Sequence, residues 1–154
     1  MTGGEFADYT FRFKSSVPLG STDLIKITFP NEFDAFVGDA GEWFENDPGT
    51  FYIECESEVI GSILCTVEHW EVKIQGNSEI TANTQISITI KNVRNPAPKE
   101  TSGNFSIAHI EAAGAYLAFN PTFGTVTPTA LAKNILVKMV EADGDNLFDT
   151  NVDY

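Results

Sequence analysis

The chain has 154 residues, 42% of them hydrophobic, and its 22 Asp and Glu against 9 Lys and Arg give a formal net charge of −13. This length fits one domain that buries roughly 68–70% of the surface of the unfolded chain, which argues against a disordered protein. The charge repels nucleic acid and anionic lipid head groups, and no apolar run reaches the ~20 residues of a membrane span, so we expect neither a nucleic-acid partner nor membrane insertion.

The first two predicted elements are strands with one apolar face. In "YTFRFK" and in "LIKITF" every second residue is apolar, which is typical of a half-buried strand. The residues expected to face the core are Tyr9, Phe11, Phe13, Ile25, Ile27 and Phe29. Between the two segments, "SSVPLGSTD" carries the Pro, Gly and Asp of a turn. The stretch from Asp34 to Thr50 follows and shows no clean period.

Seven further segments predict strands in the rest of the chain: "FYIEC", "SILCTVE", "WEVKI", "QISITIKNV", "FSIAHI", "AYLAF" and "NILVKMVE". The last segment follows good helix formers, but Ile135, Val137 and Met139 alternate with their neighbours, so we predict a strand there. Nine short strands separated by turns predict an all-β fold, an antiparallel immunoglobulin-like β-sandwich. We expect one sandwich domain over residues 1–140, with residues 141–154 as an acidic linker or as the first strand of a following repeat.

No catalytic motif stands out in the sequence. His69 and His109 lie in the strand-like runs "VEHWEV" and "IAHIEA", and we interpret both as strand-face histidines. No nucleophile elbow or Gly-rich phosphate loop is present. With 22 carboxylates, accidental pairs at glycosidase separation will occur, but nothing selects one pair. We therefore expect a protein that is not an enzyme.

Two cysteines, Cys55 and Cys65, are flanked by predicted strands that a hairpin would bring together. An oxidised bridge would close a short loop and stabilise the fold by about 2–3 kcal/mol. Reduced core cysteines are the alternative, since lone thiols are common in the cores of cytosolic proteins. Two Cys and two distant His are too few for a zinc site.

Asn104 begins the tripeptide Asn104-Phe105-Ser106, which satisfies the N-glycosylation pattern. It lies where the Pro-rich stretch after "QISITIKNV" leads into a predicted strand, so we expect its side chain to point to solvent and to carry a covalent glycan. A glycan and an oxidised Cys55–Cys65 bridge would both require the secretory route.

The acidic tail "EADGDNLFDTNVDY" does not form an EF-hand loop. A loop that starts at Asp143 would place Leu147 at the third ligand position and Phe148 at the position of the invariant Gly. We prefer a solvated acidic linker, and a looser Ca²⁺ site on Asp143, Asp145 and Asp149 is the alternative. No other cofactor is expected.

Five aromatic residues present a further choice between core and binding platform. They are Trp43, Phe44, Phe51, Tyr52 and Trp70. Aromatic side chains in a Phe-rich sandwich are more often core residues, which is the interpretation we prefer. A platform for sugar rings is the alternative.

The order of these motifs resembles the repeat unit of very large extracellular surface proteins of ciliates and related protists. The resemblance spans about Tyr9 to Ile107 and rests on "DYTFRF", "VPLGSTDLIKITFPNEF", the cysteine pair and "QISITIKNVRNPAPKETSGNFSI". Phe29-Pro30 and Asn95-Pro96 match the family's strand-end and turn positions, and Cys55 and Cys65 match its disulfide. The resemblance implies a tandem, immunoglobulin-like surface repeat with a structural or adhesive role and no enzymatic activity.

The turn at Asn95-Pro96 has a physical explanation. Pro96 restricts Asn95 to extended conformations, and with Pro98 it ends the ladder predicted over Ile86–Val93 without offering amides to another strand. We therefore expect a fixed crossover between the sheets there.

An Asp-Tyr pair near each end of the chain suggests how units assemble. If Tyr154 is the equivalent of Tyr9, the chain holds one repeat and the opening of the next, and an internal segment needs no signal peptide. We expect residues 141–154 to leave their own sandwich and to contact a neighbouring unit near its N-terminal strand, with Tyr9, Phe148 and Tyr154 as assembly residues. The predicted function is a structural module at the cell surface, one unit of a head-to-tail array that forms a fibre or filament. A carbohydrate- or protein-binding adhesion module is the alternative.

Overall fold

The computed structural model of the protein describes residues 6–31, 33, 35–37, 43–45, 50–94, 102–124, 134–138 and 147–148. These residues form thirteen β-strands and no helix, which confirms the all-β prediction. The strands are β1 (Phe6–Ser15), β2 (Leu24–Thr28), β3 (Ala35–Val37), β4 (Trp43–Glu45), β5 (Thr50–Tyr52), β6 (Cys55–Ser57), β7 (Leu64–Glu68), β8 (Glu71–Gln75), β9 (Gln85–Arg94), β10 (Phe105–Ile110), β11 (Tyr116–Gly124), β12 (Asn134–Lys138) and β13 (Leu147–Phe148).

The strands build two sheets. In the first sheet the order is β12-β1-β9-β3-β4, with β13 also paired to β1 and β6 also paired to β9. In the second sheet the order is β11-β10-β2-β8-β7-β5. Every pair among the described strands is antiparallel except two, because β12 and β13 both run parallel to β1. The sequence pattern did not indicate this parallel edge.

The alternating apolar residues of strand β1 place one of its faces against the core. Its side chains are alternately buried and accessible, so that Tyr9, Phe11 and Phe13 face the interior. Its antiparallel partner β9 buries Ile86, Ile88 and Ile90 in the same way. A strand with period-2 burial must cover its apolar face with a second layer, which here is the second sheet.

A β-bulge explains why Val93 reaches the core although it is three residues after Ile90. The register passes from Tyr9↔Ile90 to Ala7↔Val93, so Lys91 and Asn92 lie opposite the single residue Asp8. Asn92 adopts a φ of 55°, which Asn tolerates better than most residues, and its amide donates to Asp8 Oδ1 at 3.1 Å. The extra residue restores the phase of the strand, and Val93 is fully buried.

A cluster of aromatic rings fills the space between the two sheets. Phe29 lies at its centre, just after β2 in the second sheet. Its ring centroid is 5.8 Å from Tyr9, 5.6 Å from Phe11, 5.2 Å from Phe33 and 5.1 Å from Phe105. Edge-to-face packing at these distances is favourable beyond the burial of area alone. Tyr9 and Phe11 belong to the first sheet, whereas Phe105 belongs to the second sheet and Phe29 directly follows a strand of it. The cluster therefore holds the two sheets together.

Candidate functional site

The Cys55–Cys65 disulfide predicted from the sequence is present, with the two Cα atoms 6.2 Å apart. The predicted antiparallel pairing of the flanking strands is present, because β5 pairs with β7 from Thr50↔Glu68 to Tyr52↔Thr66. Cys55 itself, however, lies in β6, which pairs with β9 of the first sheet, whereas β7 belongs to the second sheet. The chain changes sheets just before Cys55. The amide of Ile53 donates to the carbonyl of Cys65, whereas the carbonyl of Glu54 accepts from the amide of Lys91. The disulfide therefore cross-links the two layers of the sandwich.

Asn104 is exposed, as the sequence predicts, and it directly precedes β10. The next residue, Phe105, is completely buried in the aromatic cluster. The sequon is therefore anchored by its central residue, while the amide side chain that would carry a glycan lies at the surface. Asn95, Pro96 and Pro98, to which the sequence analysis assigns the crossover, lie outside the described residues.

A buried polar network joins Ser15, His109 and Asp23, which are far apart in the sequence. His109 Nε2 lies 2.8 Å from Asp23 Oδ2, and His109 Nδ1 lies 3.4 Å from Ser15 Oγ. Because a carboxylate only accepts hydrogen bonds, Nε2 carries a proton and donates to Asp23. His109 is 1% exposed and lies in β10, which confirms the interpretation of a strand-face histidine.

A hydrogen-bonded chain that runs from Ser through His to Asp is also found in nucleophilic hydrolases, but the surroundings of this network indicate a structural role. Ser15 is 5% exposed, and its hydroxyl also accepts from the amide of Val17 at 3.3 Å. A nucleophile must meet its substrate, and this one lies within the sandwich. The network instead connects the end of β1, the start of β2 and β10. Sequence analysis missed it because the partners of His109 are distant in the chain and the topology alone brings them together.

The Asp23 carboxylate is the charged member of this network. Burial raises its pKa, but hydrogen bonds from the Gly20 amide, His109 and the Ala112 amide outweigh burial, so the pKa of Asp23 lies below its ordinary value of 3.8. The Gly20 amide donates to Asp23 Oδ2 at 2.8 Å. The folded protein therefore favours the ionised carboxylate more than the unfolded chain does.

We predict that Asp23 makes the fold sensitive to acid. A group whose pKa is lowered on folding contributes stability that is complete above its unfolded pKa and is lost as the pH falls through its folded pKa. Wild-type stability should therefore fall below about pH 4, and Asp23→Asn should cost about 1–3 kcal/mol at pH 7 but much less at pH 2.5. Urea denaturation at both pH values measures this difference.

Ser15→Ala is the matched control for the Asp23 prediction. It removes one hydrogen bond of the network but keeps the carboxylate and its pairing with His109. Its loss of stability should therefore be the same at pH 7 and at pH 2.5. An Asp23→Asn variant whose deficit is equally large at both pH values would contradict this account.

The residues proposed for assembly occupy positions that differ from the expectation. Tyr9 is completely buried in the aromatic cluster, where burial raises its pKa, so its ring offers no surface to a neighbouring unit. Leu147 and Phe148 pair in parallel with Lys14 and Ser15 of the same chain, so this part of the tail lies along its own sandwich. The tail does not need a neighbouring unit for its main-chain hydrogen bonds, because the outer edge of β1 in the same chain provides partners for them. Tyr154 lies outside the described residues.

The aromatic residues considered for a binding platform are divided between the two sheets. Trp43 and Phe44 lie in β4 of the first sheet, whereas Phe51 and Tyr52 lie in β5 of the second sheet. The structure describes the strand positions of these four residues but not their side chains. Trp70 is half-buried and packs against the core, as the preferred interpretation has it.

His69 differs from its predicted position in a strand. It lies in the turn between β7 and β8 with a φ of 54°. Its ring stacks on Trp70 with the ring centroids 6.1 Å apart. The two rings border a shallow groove of about 420 Å³, which Thr28, Glu68 and Glu71 complete. This groove offers aromatic faces to a flat ligand.

The outer face of the first sheet carries a polar groove of about 400 Å³. Its lining residues are Thr10, Arg12, Glu56, Ser57, Glu58, Ser87 and Thr89. The hydroxyl groups of Thr10 and Thr89 are 2.9 Å apart, and Lys91 pairs with Glu56 at 3.1 Å. Three of the seven lining side chains thus have a polar partner in these two contacts, and the groove is typical of a solvated sheet face.

The residues considered for Ca²⁺, Asp143, Asp145 and Asp149, lie outside the described residues. Within the described part of the chain, no group of three or more His, Cys, Asp and Glu side chains is arranged to hold a metal ion. Among the same residues, no helix is long and apolar enough to cross a membrane.

Comparison with known proteins does not assign the chain to a family. No family model, no curated protein and no solved structure matches it. Its function is therefore argued from three features of the chain itself: the disulfide between the sheets, the exposed sequon at Asn104, and the parallel pairing of the last strands with the first.

Proposed function

We propose that the protein is a structural extracellular module, one unit of a head-to-tail array that forms a cell-surface fibre or filament. The observation that carries the proposal is the parallel pairing of β12 and β13 with β1. Asp8 lies beside Asn134, the first residue of β12, and Ser15 lies beside Phe148, the last residue of β13. The first and last described strands therefore run in the same direction along one sheet.

This geometry suits a linear array. Strand β1 is ten residues long, and a strand rises ~3.3 Å per residue, so its two ends are roughly 30 Å apart. The chain enters the sheet at one end of β1 and leaves the last described strand at the opposite end. Tension applied along the array would load the hydrogen bonds between β1 and β12 in shear, so that many bonds resist together.

The disulfide and the sequon support an extracellular location. Disulfides persist in oxidising compartments, and Asn104 is at the surface where glycosylation requires it. The resemblance to surface repeats of ciliates and related protists agrees with both features. We keep the immunoglobulin-like arrangement and the domain boundary at residue 140 as parts of the proposal. The disulfide between the two sheets supports the first of them, since immunoglobulin domains carry such a bridge.

We expect Asn104 to carry a glycan when the chain passes through the secretory pathway of a eukaryotic cell. Treatment of the secreted protein with an N-glycosidase should lower its mass by that of one glycan. Asn104→Gln and Ser106→Ala should each abolish the shift, since they destroy the sequon at different residues. An unmodified Asn104 peptide in protein from its natural source would contradict the prediction.

The array itself is tested by the mass of the native polypeptide and by its sedimentation. We expect either a polypeptide far heavier than the 16.8 kDa of this chain, as in a tandem array, or separate chains that sediment as a series of oligomers. A native polypeptide of this mass that remains a single monomeric species at high concentration, with and without Ca²⁺, would overturn the proposal.

An adhesion module is the second candidate, and the groove beside His69 and Trp70 is the observation that favours it. Aromatic rings at a shallow groove present flat apolar faces with polar neighbours, which suits the ring of a sugar. A glycan array probed with the wild type and with Trp70→Ala tests this candidate. Binding that Trp70→Ala abolishes, while the variant stays folded, would support adhesion.

A further inference from the structure

The last two described strands form their ladders on a single strand, β1. Strand β12 pairs with β1 from Asp8↔Asn134 to Arg12↔Lys138, and β13 pairs with β1 at Lys14 and Ser15. Among the described strands neither of them pairs with any other. All their ladder hydrogen bonds therefore fall on one edge of β1.

Strand β1 is held in place without them. Its other edge pairs with β9 from Phe6 to Lys14, and its side chains Tyr9, Phe11 and Phe13 lie in the core. The edge that receives β12 is therefore set by the rest of the sandwich. Any strand with the sequence of β12 finds the same main-chain partners there, whichever chain it belongs to. Val137, the described side chain of β12, is 2% exposed and adds an apolar anchor to these partners.

We propose that β12 and β13 are exchanged between copies, so that in the array they pair with β1 of a second copy of this chain. The proposal rests on the proposed function and names the surface through which the units join. Exchange keeps each contact of the isolated unit, which makes it a route to assembly of low energetic cost. Because the donated strand and the accepting edge are different surfaces, the contact is heterologous, and a contact of this type that does not close gives an open filament.

The length of the connection permits exchange between units in contact. Nine residues join Gly124, at the end of β11, to Asn134. An extended segment spans at most ~3.3–3.6 Å per residue, so these residues reach about 32 Å at most. This limit restricts exchange to adjacent copies, as a filament requires.

Cross-linking of mixed variants tests the exchange. Arg12→Cys and Lys138→Cys place single new thiols at positions that are paired in the register, and Arg12 is exposed. The two variants are unfolded together, refolded as an equimolar mixture and treated with a short bis-maleimide, which leaves the Cys55–Cys65 bridge intact. Exchange predicts a cross-linked pair that contains one chain of each variant, in several-fold excess over that from either variant alone.

The control is the pair Thr66→Cys and Lys73→Cys, which lie opposite each other on β7 and β8. This hairpin is not exchanged, so the mixture should give no such excess. Asp8→Cys with Asn134→Cys is a second pair across the proposed contact, and it keeps the test decisive if Lys138→Cys does not fold.

The outcomes separate this inference from the proposed function. If the wild type sediments as oligomers but the mixed variants give no heterologous cross-link, the units assemble by another surface and the exchange is wrong. If the wild type forms no oligomer and the native polypeptide has the mass of this chain, both proposals fail. A mixed cross-link at both paired positions, absent from the control, supports the exchange.

Discussion

Replacing Phe29 with alanine is expected to destabilise the fold by about 3–5 kcal/mol, the largest effect of any substitution considered for this protein. Its ring contacts Tyr9, Phe11, Phe33 and Phe105 at the centre of the aromatic cluster. Removal of the ring leaves a cavity that the neighbouring rings cannot readily fill, because Tyr9, Phe11 and Phe105 are each held by their own strand. Urea denaturation followed by Trp fluorescence gives the change in the free energy of unfolding.

Leu64→Ala is the matched control for Phe29. Leu64 lies in β7 of the same sheet but is 51% exposed, so its removal should cost less than ~1 kcal/mol. Similar losses for the two variants would show that the cluster does not join the sheets. A Phe29→Ala variant within ~1 kcal/mol of the wild type would lead to the same conclusion.

The second large effect is expected from removal of the disulfide. The double variant Cys55→Ala/Cys65→Ala opens the loop between two cysteines that are ten residues apart in the sequence. In the loop-entropy model this costs about 2–3 kcal/mol of stability. Both cysteines are replaced, since a single substitution would leave a reactive thiol. The midpoint of thermal or urea unfolding should fall accordingly.

Reductant provides the control for the disulfide prediction. Dithiothreitol should destabilise the wild type by a similar amount, provided that the bridge is reduced, and should leave the double variant unchanged. Equal stability of the oxidised wild type and the double variant would contradict a structural role for the link between the sheets.

The sequence predicted best those features that depend on local alternation. The buried faces of β1 and β2 followed directly from residues such as Phe11 and Ile27, because period-2 burial is a property of one strand. The short strands β3 and β4 were missed within the irregular stretch, since elements of three residues carry too little pattern to recognise. The strand "FYIEC" proved to be two strands in different sheets, β5 and β6.

Features that depend on distant pairing were not accessible to the same reasoning. The disulfide and the antiparallel pairing of its flanking strands were predicted, but the position of Cys55 in the other sheet was not. The chain changes sheets at Glu54, where no Gly or Pro marks the transition. The hydrogen bond of His109 to Asp23 joins residues whose proximity follows only from the pairing of β10 with β2. The parallel register of β12 on β1 likewise leaves no signal in either strand taken alone.

Negative-stain microscopy of the native material shows directly whether the module repeats head to tail. A head-to-tail array should give linear rows of beads whose spacing is at least the ~30 Å between the two ends of β1. Antibody raised against this chain should decorate the rows at regular intervals. Isolated, monodisperse particles of single-sandwich size, with antibody bound to them and to no filament, would contradict the head-to-tail array.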